Sequence, residues 1–310
     1  MYAIRLIPAQ QIDATQWDRR VAMAENGLIY SCTDYLHAVC KNWMGLVLND
    51  YEAMMALPCK SKLGYTYLYT PPFVQQLGLI GLPGLPKQEQ QQMVQQIARQ
   101  VMQQYAYGTL LFNHSNTAAA YLKGIVQKPN YTLNLNRPYP EISSHYSPDL
   151  KQNIKKAERA ATVYSNEVPI QTAIDVFIEH HAHQSKHIHP DNYLAFSQLC
   201  NNVLAGRGQC FTRAVLNSNR EMESVVLLLK DGRRIYNLMN TTTAAGRQNE
   251  TNHFLLDQLI REFAEEALLL DFEGSAIPGV QSFYRKFGAT EETYYLYHYN
   301  KLPFPLSLLK

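Results

Sequence analysis

The chain has 310 residues, 46% of them hydrophobic, and a formal net charge of +2. That length leans toward two domains with ample material for a core, and the near-neutral charge carries no global pull toward nucleic acid. No apolar run approaches the roughly 18 residues of a membrane span, so no membrane insertion is expected. The start, Met1 to Pro8, lacks the charged and hydrophobic regions of a secretory signal. Five scattered cysteines, Cys32, Cys40, Cys59, Cys200 and Cys210, never fall in a CxxC. They point to a reducing cytoplasm instead of a disulfide framework or a zinc ribbon. The sequons at Asn113, Asn130, Asn240 and Asn249 are then chance matches.

In chain order, residues 2–8 read as a strand and Ile12 to Ala24 as a helix with Asp13 near its start. A short helix runs through Cys40. Two apolar runs, Trp43 to Leu48 and Tyr51 to Pro58, flank Asn49-Asp50 as a β-hairpin. Tyr65 to Tyr69 alternates with period 2. The Gln-rich stretch 87–105 carries Met93, Ile97 and Val101 on one helical face. A strand at Thr109 to Phe112, a short helix at Thr117 to Lys123 and a strand at Tyr131 to Leu135 follow. The second half repeats the order of elements. Helices lie near Ile170 to His183 and Asn192 to Leu204, then a strand at Phe211 to Leu216. Asp231-Gly232 turns a hairpin between Ser224 to Leu229 and Arg234 to Met239. A helix spans 251–267.

Between the halves, Ser147 and Pro148 form a helix start. Lys151, Lys155 and Arg159 then line one face, with Lys156 beside them. A solvated basic face is the plain reading of these cations. RNA binding through them alone predicts steep salt dependence, and the near-neutral total charge weighs against it. His180, His181, His183, His187 and His189 crowd ten residues, but no HExxH occurs and no carboxylate or cysteine completes a ligand set nearby. No metal is expected, and Pro190 is read as ending the helix.

The C-terminal stretch is the most informative. The apolar run 267–270 leads into Asp271-Phe272-Glu273-Gly274-Ser275. A short helix follows with Phe283-Tyr284-Arg285-Lys286-Phe287-Gly288-Ala289, and then a strand at Tyr294 to Tyr299. This order resembles the last third of a GNAT-type acyltransferase domain, in which a helix Tyr protonates the departing CoA thiolate. The matching residues are Tyr284 and Gly288. Gly288 also reads as an ordinary helix C′ residue, and Phe283 and Phe287 as core. Asn153-Ile154-Lys155-Lys156-Ala157, taken with Asp271-Phe272-Glu273-Gly274, looks like the FemAB/FemX group. Tyr69 to Gly78 and Asn134-Leu135-Asn136 look like its uncharacterised bacterial members.

The resemblance covers nearly the whole chain. It implies an α/β protein with mixed sheets and two GNAT-like halves in tandem, residues 1–140 and 141–310, with the active cleft served mainly by the second. It implies an N-acyltransferase moving an acyl group from acyl-CoA such as acetyl-CoA, or an aminoacyl group from aminoacyl-tRNA, to an acceptor amine by direct attack. The acceptor is a small molecule or a cell-wall precursor. The turn 240–249 joins a strand to a helix N-terminus, a natural pyrophosphate cradle. There Thr243, Gly246, Arg247, Gln248 and Asn249 match the place, though one glycine departs from the pattern Arg/Gln-x-x-Gly-x-Gly/Ala. A plain helix cap at Asn249 or Thr251 is the other reading. Such chemistry needs a base and an acid. Tyr284 is the candidate acid. Asp271 and Glu273 are candidate bases, Glu273 preferred because it borders Gly274; alternatively one of them caps the helix near Ile277. Lys155, Lys156 and His187 are candidate substrate contacts. The alternative function is a non-catalytic ligand-binding protein that keeps the GNAT fold.

Overall fold

The computed structural model describes residues 3–62, 64–81, 85–160, 162–181, 183, 188–274 and 277–309. Two compact units form, Met1–Lys128 with Thr293–Lys310, and Pro129–Glu292. The first begins with β1 (Ile4–Pro8), α1 (Ala14–Met23), α2 (Thr33–Val39), β2 (Asn42–Leu48) and β3 (Ala53–Lys62). It continues with β4 (Tyr65–Leu68), β5 (Ile80–Gly81), α3 (Lys87–Gln104) and β6 (Tyr107–Phe112). Strands β1 to β4 pair in sequence order, and β5 adds to β3. Leu48 lies opposite Ala53 in the β2–β3 hairpin. The connection is therefore residues 49–52, longer than the Asn49-Asp50 turn read from sequence. The cause is local. Asn49 and Tyr51 take left-handed φ values of 51° and 56°, and Tyr51 cannot continue a pleat there. Helix α3 buries Met93, Ile97 and Val101 in the core of this unit, with Leu46, Leu57, Leu110 and Phe112.

Strand β7 (Ile125–Asn134) leads into the second unit. Helix α4 (Tyr139–Ser144) and helix α5 (Pro148–Arg159) follow. Ser147 caps α5, its hydroxyl accepting from Leu150 N at 3.3 Å. Leu150, Ile154 and Ala157 are buried, while Lys151, Lys155, Lys156 and Arg159 are exposed. Next come β8 (Val163–Ser165), α6 (Ile170–His181) and α7 (Pro190–Leu199). Pro190 does not end α6; it opens α7, with His189 as N-cap accepting from Asp191 N at 3.3 Å. Proline suits this position because its missing N–H has no helical acceptor to lose. Helix α7 runs on into a π turn at Cys200–Leu204.

Strands β9 (Cys210–Leu216), β10 (Met222–Lys230) and β11 (Arg234–Thr242) form an antiparallel meander. Helices α8 (Ala244–Gln248) and α9 (Thr251–Glu262) lead to β12 (Leu269–Asp271) and α10 (Pro278–Arg285). The strand order here is β7-β12-β11-β10-β9-β8. Helix α9 stops five residues short of Ala267. Glu265 takes a left-handed φ of 68° and its N–H donates to Leu135 O at 2.8 Å, which turns the chain toward β12. Strand β12 runs parallel to β11 and antiparallel to β7, with Leu270 opposite both Ile235 and Leu133. The core of this unit joins Leu133, Ile154, Leu228, Leu259, Leu270, Phe272 and Phe287. The last strand, β13 (Thr290–Asn300), crosses from the second unit into the first, where Leu296 lies opposite Leu111.

Gly288 closes the turn that follows α10 with φ 77°, and a Cβ there would meet His145 Cβ at 3.0 Å. Both the backbone and the space select glycine. Gly288→Ala should lower stability by about 1 kcal/mol or more, read as a reduced urea midpoint at unchanged slope. An unshifted midpoint would show that neither restraint matters.

Candidate active site at the end of the central strand

Strand β12 delivers its last residue, Asp271, into a buried ionic cluster. Arg234, the first residue of β11, donates from Nη1 to Asp271 Oδ2 at 2.9 Å. The same guanidinium grips Glu292 with two bonds, at 2.8 and 2.9 Å. Arg234 and Asp271 side chains are 6% and 1% exposed. Asn130 Nδ2 donates to Asp271 Oδ1 at 2.9 Å. Burial pushes the Asp271 carboxyl above its ordinary range, with Arg234 opposing. Both oxygens of this carboxyl are engaged, Oδ2 by Arg234 and Oδ1 by Asn130. Of the two candidate bases read from sequence, Asp271 and the preferred Glu273, Asp271 is the one paired with Arg234.

The same cluster shapes the next two residues. Asp271 Oδ1 accepts from Glu273 N at 3.0 Å, and Asn130 Oδ1 accepts from Gly274 N at 2.6 Å. A side chain at Gly274 would strike Pro129 O at 2.2 Å, so the turn lies flush on β7. These restraints hold Glu273 at a left-handed φ of 56°, a conformation that costs about 1 kcal/mol or more for a residue with a Cβ. Glu273 Oε1 is inaccessible to solvent and has no hydrogen-bond partner among the described residues. Burial raises the Glu273 carboxyl from 4.5 to about 8.

Tyr284 on α10 stacks on Phe272, with ring centroids 4.7 Å apart and planes at 23°. Its hydroxyl is held protonated above the ordinary tyrosine range by burial first, then by the negative charges of Glu273 and Asp271. The two candidate acid–base residues therefore feel each other's charge. Helix α10 starts at Pro278 after Ile277, without a side-chain cap bond, so neither Asp271 nor Glu273 is its cap. Beside them, Arg285 donates to Tyr131 OH at 2.6 Å and pairs with Glu291 at 3.2 Å. Asn130, Arg234 and Glu292 escaped the sequence reading. Their only signal was polar residues at the edges of apolar strands, and their partners lie far away in sequence.

The turn after β11 is not an open loop. Residues 244–248 form α8, capped by Thr243, whose hydroxyl accepts from Gly246 N at 3.1 Å. Thr243 N donates to Glu223 O at 2.9 Å. Arg247 Nη1 donates to Thr242 O at 2.6 Å, and Asn249 Nδ2 to Glu223 Oε1 at 2.9 Å. Gln248 is exposed. A Cβ on Gly246 would lie 2.3 Å from Glu223 O, so this glycine serves close packing against β10. Glu250, at the N-cap of α9 with φ 59°, sets its carboxylate 3.0 Å from His253 Nδ1. The N–H groups of Thr243, Gly246 and Arg247 are thus engaged within the turn, Ala244 and Ala245 are exposed, and a carboxylate stands at the positive end of α9.

Lys155 and Lys156 stay exposed on α5. Lys155 borders a cavity with Tyr139, Tyr146 and Asp257, which neither Glu273 nor Tyr284 lines. His187 lies outside the described residues. Of the other histidines, His180 Nδ1 lies 3.0 Å from Val176 O, and His181 stacks on Phe177 at 4.8 Å. Among the described residues no three His, Cys, Asp or Glu side chains converge on a metal position. Among them, too, no helix is long and apolar enough to cross a membrane.

Two outcomes follow for stability. Below pH 4.5 Glu273 is protonated in both folded and unfolded chains. Between about 4.5 and 8 the unfolded chain has released a proton that the folded chain keeps, so this residue's contribution to stability falls as pH rises and levels off above about 8. Glu273→Gln should therefore gain stability over the parent as pH climbs through that window, by several kcal/mol at about 1.4 kcal/mol per unit. A difference that is constant with pH would contradict the shift. Arg234→Met leaves Asp271 buried and unpaired, and denaturant melts should show a loss of about 3–5 kcal/mol; a loss under about 1 kcal/mol would mean that the cluster is dispensable.

No known protein-family profile matches the sequence, and no curated protein matches it. Solved structures do. FemX superposes with a TM-score of 0.65 at 12% identity, covering 98% of this chain and 99% of that one. The C-terminal domain of a putative lysylphosphatidylglycerol synthetase from Agrobacterium fabrum gives 0.54 at 11% identity, covering 96% and 94%. A GCN5-related N-acetyltransferase from Sphaerobacter thermophilus gives 0.52 at 11% identity, covering 97% and 96%. The chain therefore has a mixed α/β, tandem GNAT-like fold of the FemX-like type.

Proposed function

We propose that this protein is an N-acyltransferase with Glu273 as general base and Tyr284 as general acid. The observation that carries the reading is Glu273 itself. Its backbone is strained, Oε1 of its half-buried side chain is out of reach of solvent with no hydrogen-bond partner among the described residues, and its affinity for protons lies near neutrality. A fold maintains three unfavourable features at one residue where chemistry needs them. Direct attack joins the acceptor nitrogen to the donor's carbonyl carbon and breaks the carbon–sulfur or carbon–oxygen bond to the carrier. The amine proton passes to the Glu273 carboxylate, and Tyr284 gives its proton to the departing thiolate or ribose oxygen. No covalent enzyme intermediate and no metal is needed. The donor is aminoacyl-tRNA or acyl-CoA; the internally bonded segment 243–249 weighs against CoA. The acceptor is an amine on a small molecule or a cell-wall precursor, with Lys155, Lys156 and His187 as candidate contacts, and the reaction is cytoplasmic, where both donors occur.

The closed turn and the Glu250 carboxylate also favour a second reading, a ligand-binding protein that keeps the fold without transfer. Assays of amine acylation with acetyl-CoA, longer acyl-CoAs and charged tRNA separate the two. The rate should rise with pH to a plateau above about 8, because the base acts ionised. Tyr284 keeps its proton throughout that range. Glu273→Gln should lower turnover by about 10²–10⁴-fold, and Tyr284→Phe should lower turnover with little change in melting temperature. Absence of transfer with every donor would leave the binding reading. Full activity in Glu273→Gln would remove that residue from the mechanism.

A further inference from the structure

A second site lies apart from this acid–base pair. A cavity of about 380 Å³ opens between α4, α5 and α9. At its floor the Tyr139 hydroxyl donates to Asp257 Oδ1 at 2.6 Å, and Gln258 donates to Oδ2 at 3.2 Å. The Arg261 guanidinium lies over the Tyr139 ring at 4.1 Å. Tyr146 is 4% exposed, and its hydroxyl faces the Asp257 carboxylate but makes no hydrogen bond of ordinary geometry among the described residues. Lys151 and Lys155, one turn apart on α5, form the wall. Among the described residues Lys151 reaches only a backbone carbonyl, Ser144 O at 3.3 Å. Neither Lys155 nor Arg261 has a carboxylate within 4.0 Å among the described residues.

Buried polar groups are normally paired, so an orphan hydroxyl lining a cavity invites an outside partner. The three cations outnumber the two carboxylates of the lining, Glu158 and Asp257, and Asp257 is already engaged by Tyr139 and Gln258. The missing partner is therefore an anion. A carboxylate brings one charge to three cations. A phosphate brings about two, with three acceptor oxygens to share among several donors. We propose that this cavity binds a ligand carrying a phosphate group, held by Lys151, Lys155 and Arg261, with the Tyr146 hydroxyl donating to a phosphate oxygen. The assignment takes up Lys155 from the candidate substrate contacts and does not rest on the transfer chemistry at Glu273.

Calorimetric titration tests it with three probes at low and high salt: inorganic pyrophosphate, ADP and a 5′-phosphorylated RNA oligonucleotide. Saturable binding is expected, weakened about tenfold or more in Lys151→Gln/Lys155→Gln and several-fold in Tyr146→Phe. All three altered cations are exposed, so folding should survive; Arg261→Gln alone carries the same test if the double variant unfolds. Similar affinity for pyrophosphate and RNA would identify an isolated phosphate group. Much tighter RNA binding with a steep salt slope would identify a nucleic-acid backbone. No binding at millimolar probe, or equal binding in parent and variants, overturns the proposal. Glu273→Gln should bind the probes like the parent, so loss of transfer in that variant leaves this site standing.

Discussion

The buried pair between Arg234 and Asp271 is the constraint on which the site rests. A carboxylate that is 1% exposed at the end of a central strand would be untenable without a cation within hydrogen-bond reach. Arg234 meets that need because the parallel register sets Arg234 opposite Leu269, two residues before Asp271. Glu292 then balances the guanidinium's remaining donors. Replacing such a cluster by apolar side chains is often neutral or stabilising, so its value here lies in geometry. Asp271 and Asn130 together fix the N–H groups of Glu273 and Gly274. The strained φ of Glu273 is the local consequence.

From that fixed turn the chemistry is a matter of environment. Glu273 and Asp271 are two residues apart yet sit in opposite surroundings. One is paired with a guanidinium; the other holds Oε1 away from solvent with no hydrogen-bond partner among the described residues. Pushing two carboxyls into different roles by their surroundings is a recurring way to obtain acid–base function near neutral pH. Tyr284 enters this environment through its stack on Phe272, and burial first, then the nearby negative charge, keeps its hydroxyl protonated. The donor side is different. Thr243, Gly246, Arg247 and Asn249 are engaged by their own neighbours.

Much of this was legible from residue pattern. Helix α3 followed Met93, Ile97 and Val101; the α5 cap followed Ser147-Pro148; the β10–β11 hairpin followed Asp231-Gly232. The tandem fold was legible through the order of elements at the C-terminus and the Asn153 to Ala157 motif. Misreadings had local causes. Left-handed backbone at Tyr51 and Glu265 shortened a strand and a helix, which side-chain hydropathy does not encode. Residues 244–248 read as a loop because their small polar side chains carry no periodic signal, yet Thr243 caps a helical turn there. The ionic cluster joins Asn130, Arg234, Asp271 and Glu292, and no local pattern links residues that far apart. Pairing with Arg234 distinguishes Asp271 from the preferred Glu273.

The central claim is that Glu273 holds a proton near neutrality. It is tested most directly by ¹³C NMR of glutamate labelled at the side-chain carboxyl, with Glu273→Gln assigning the resonance. The account predicts a titration midpoint near 8 for that carboxyl. A midpoint near the ordinary 4.5 would mean that Glu273 is solvated or paired, and would contradict the proposed acid–base site.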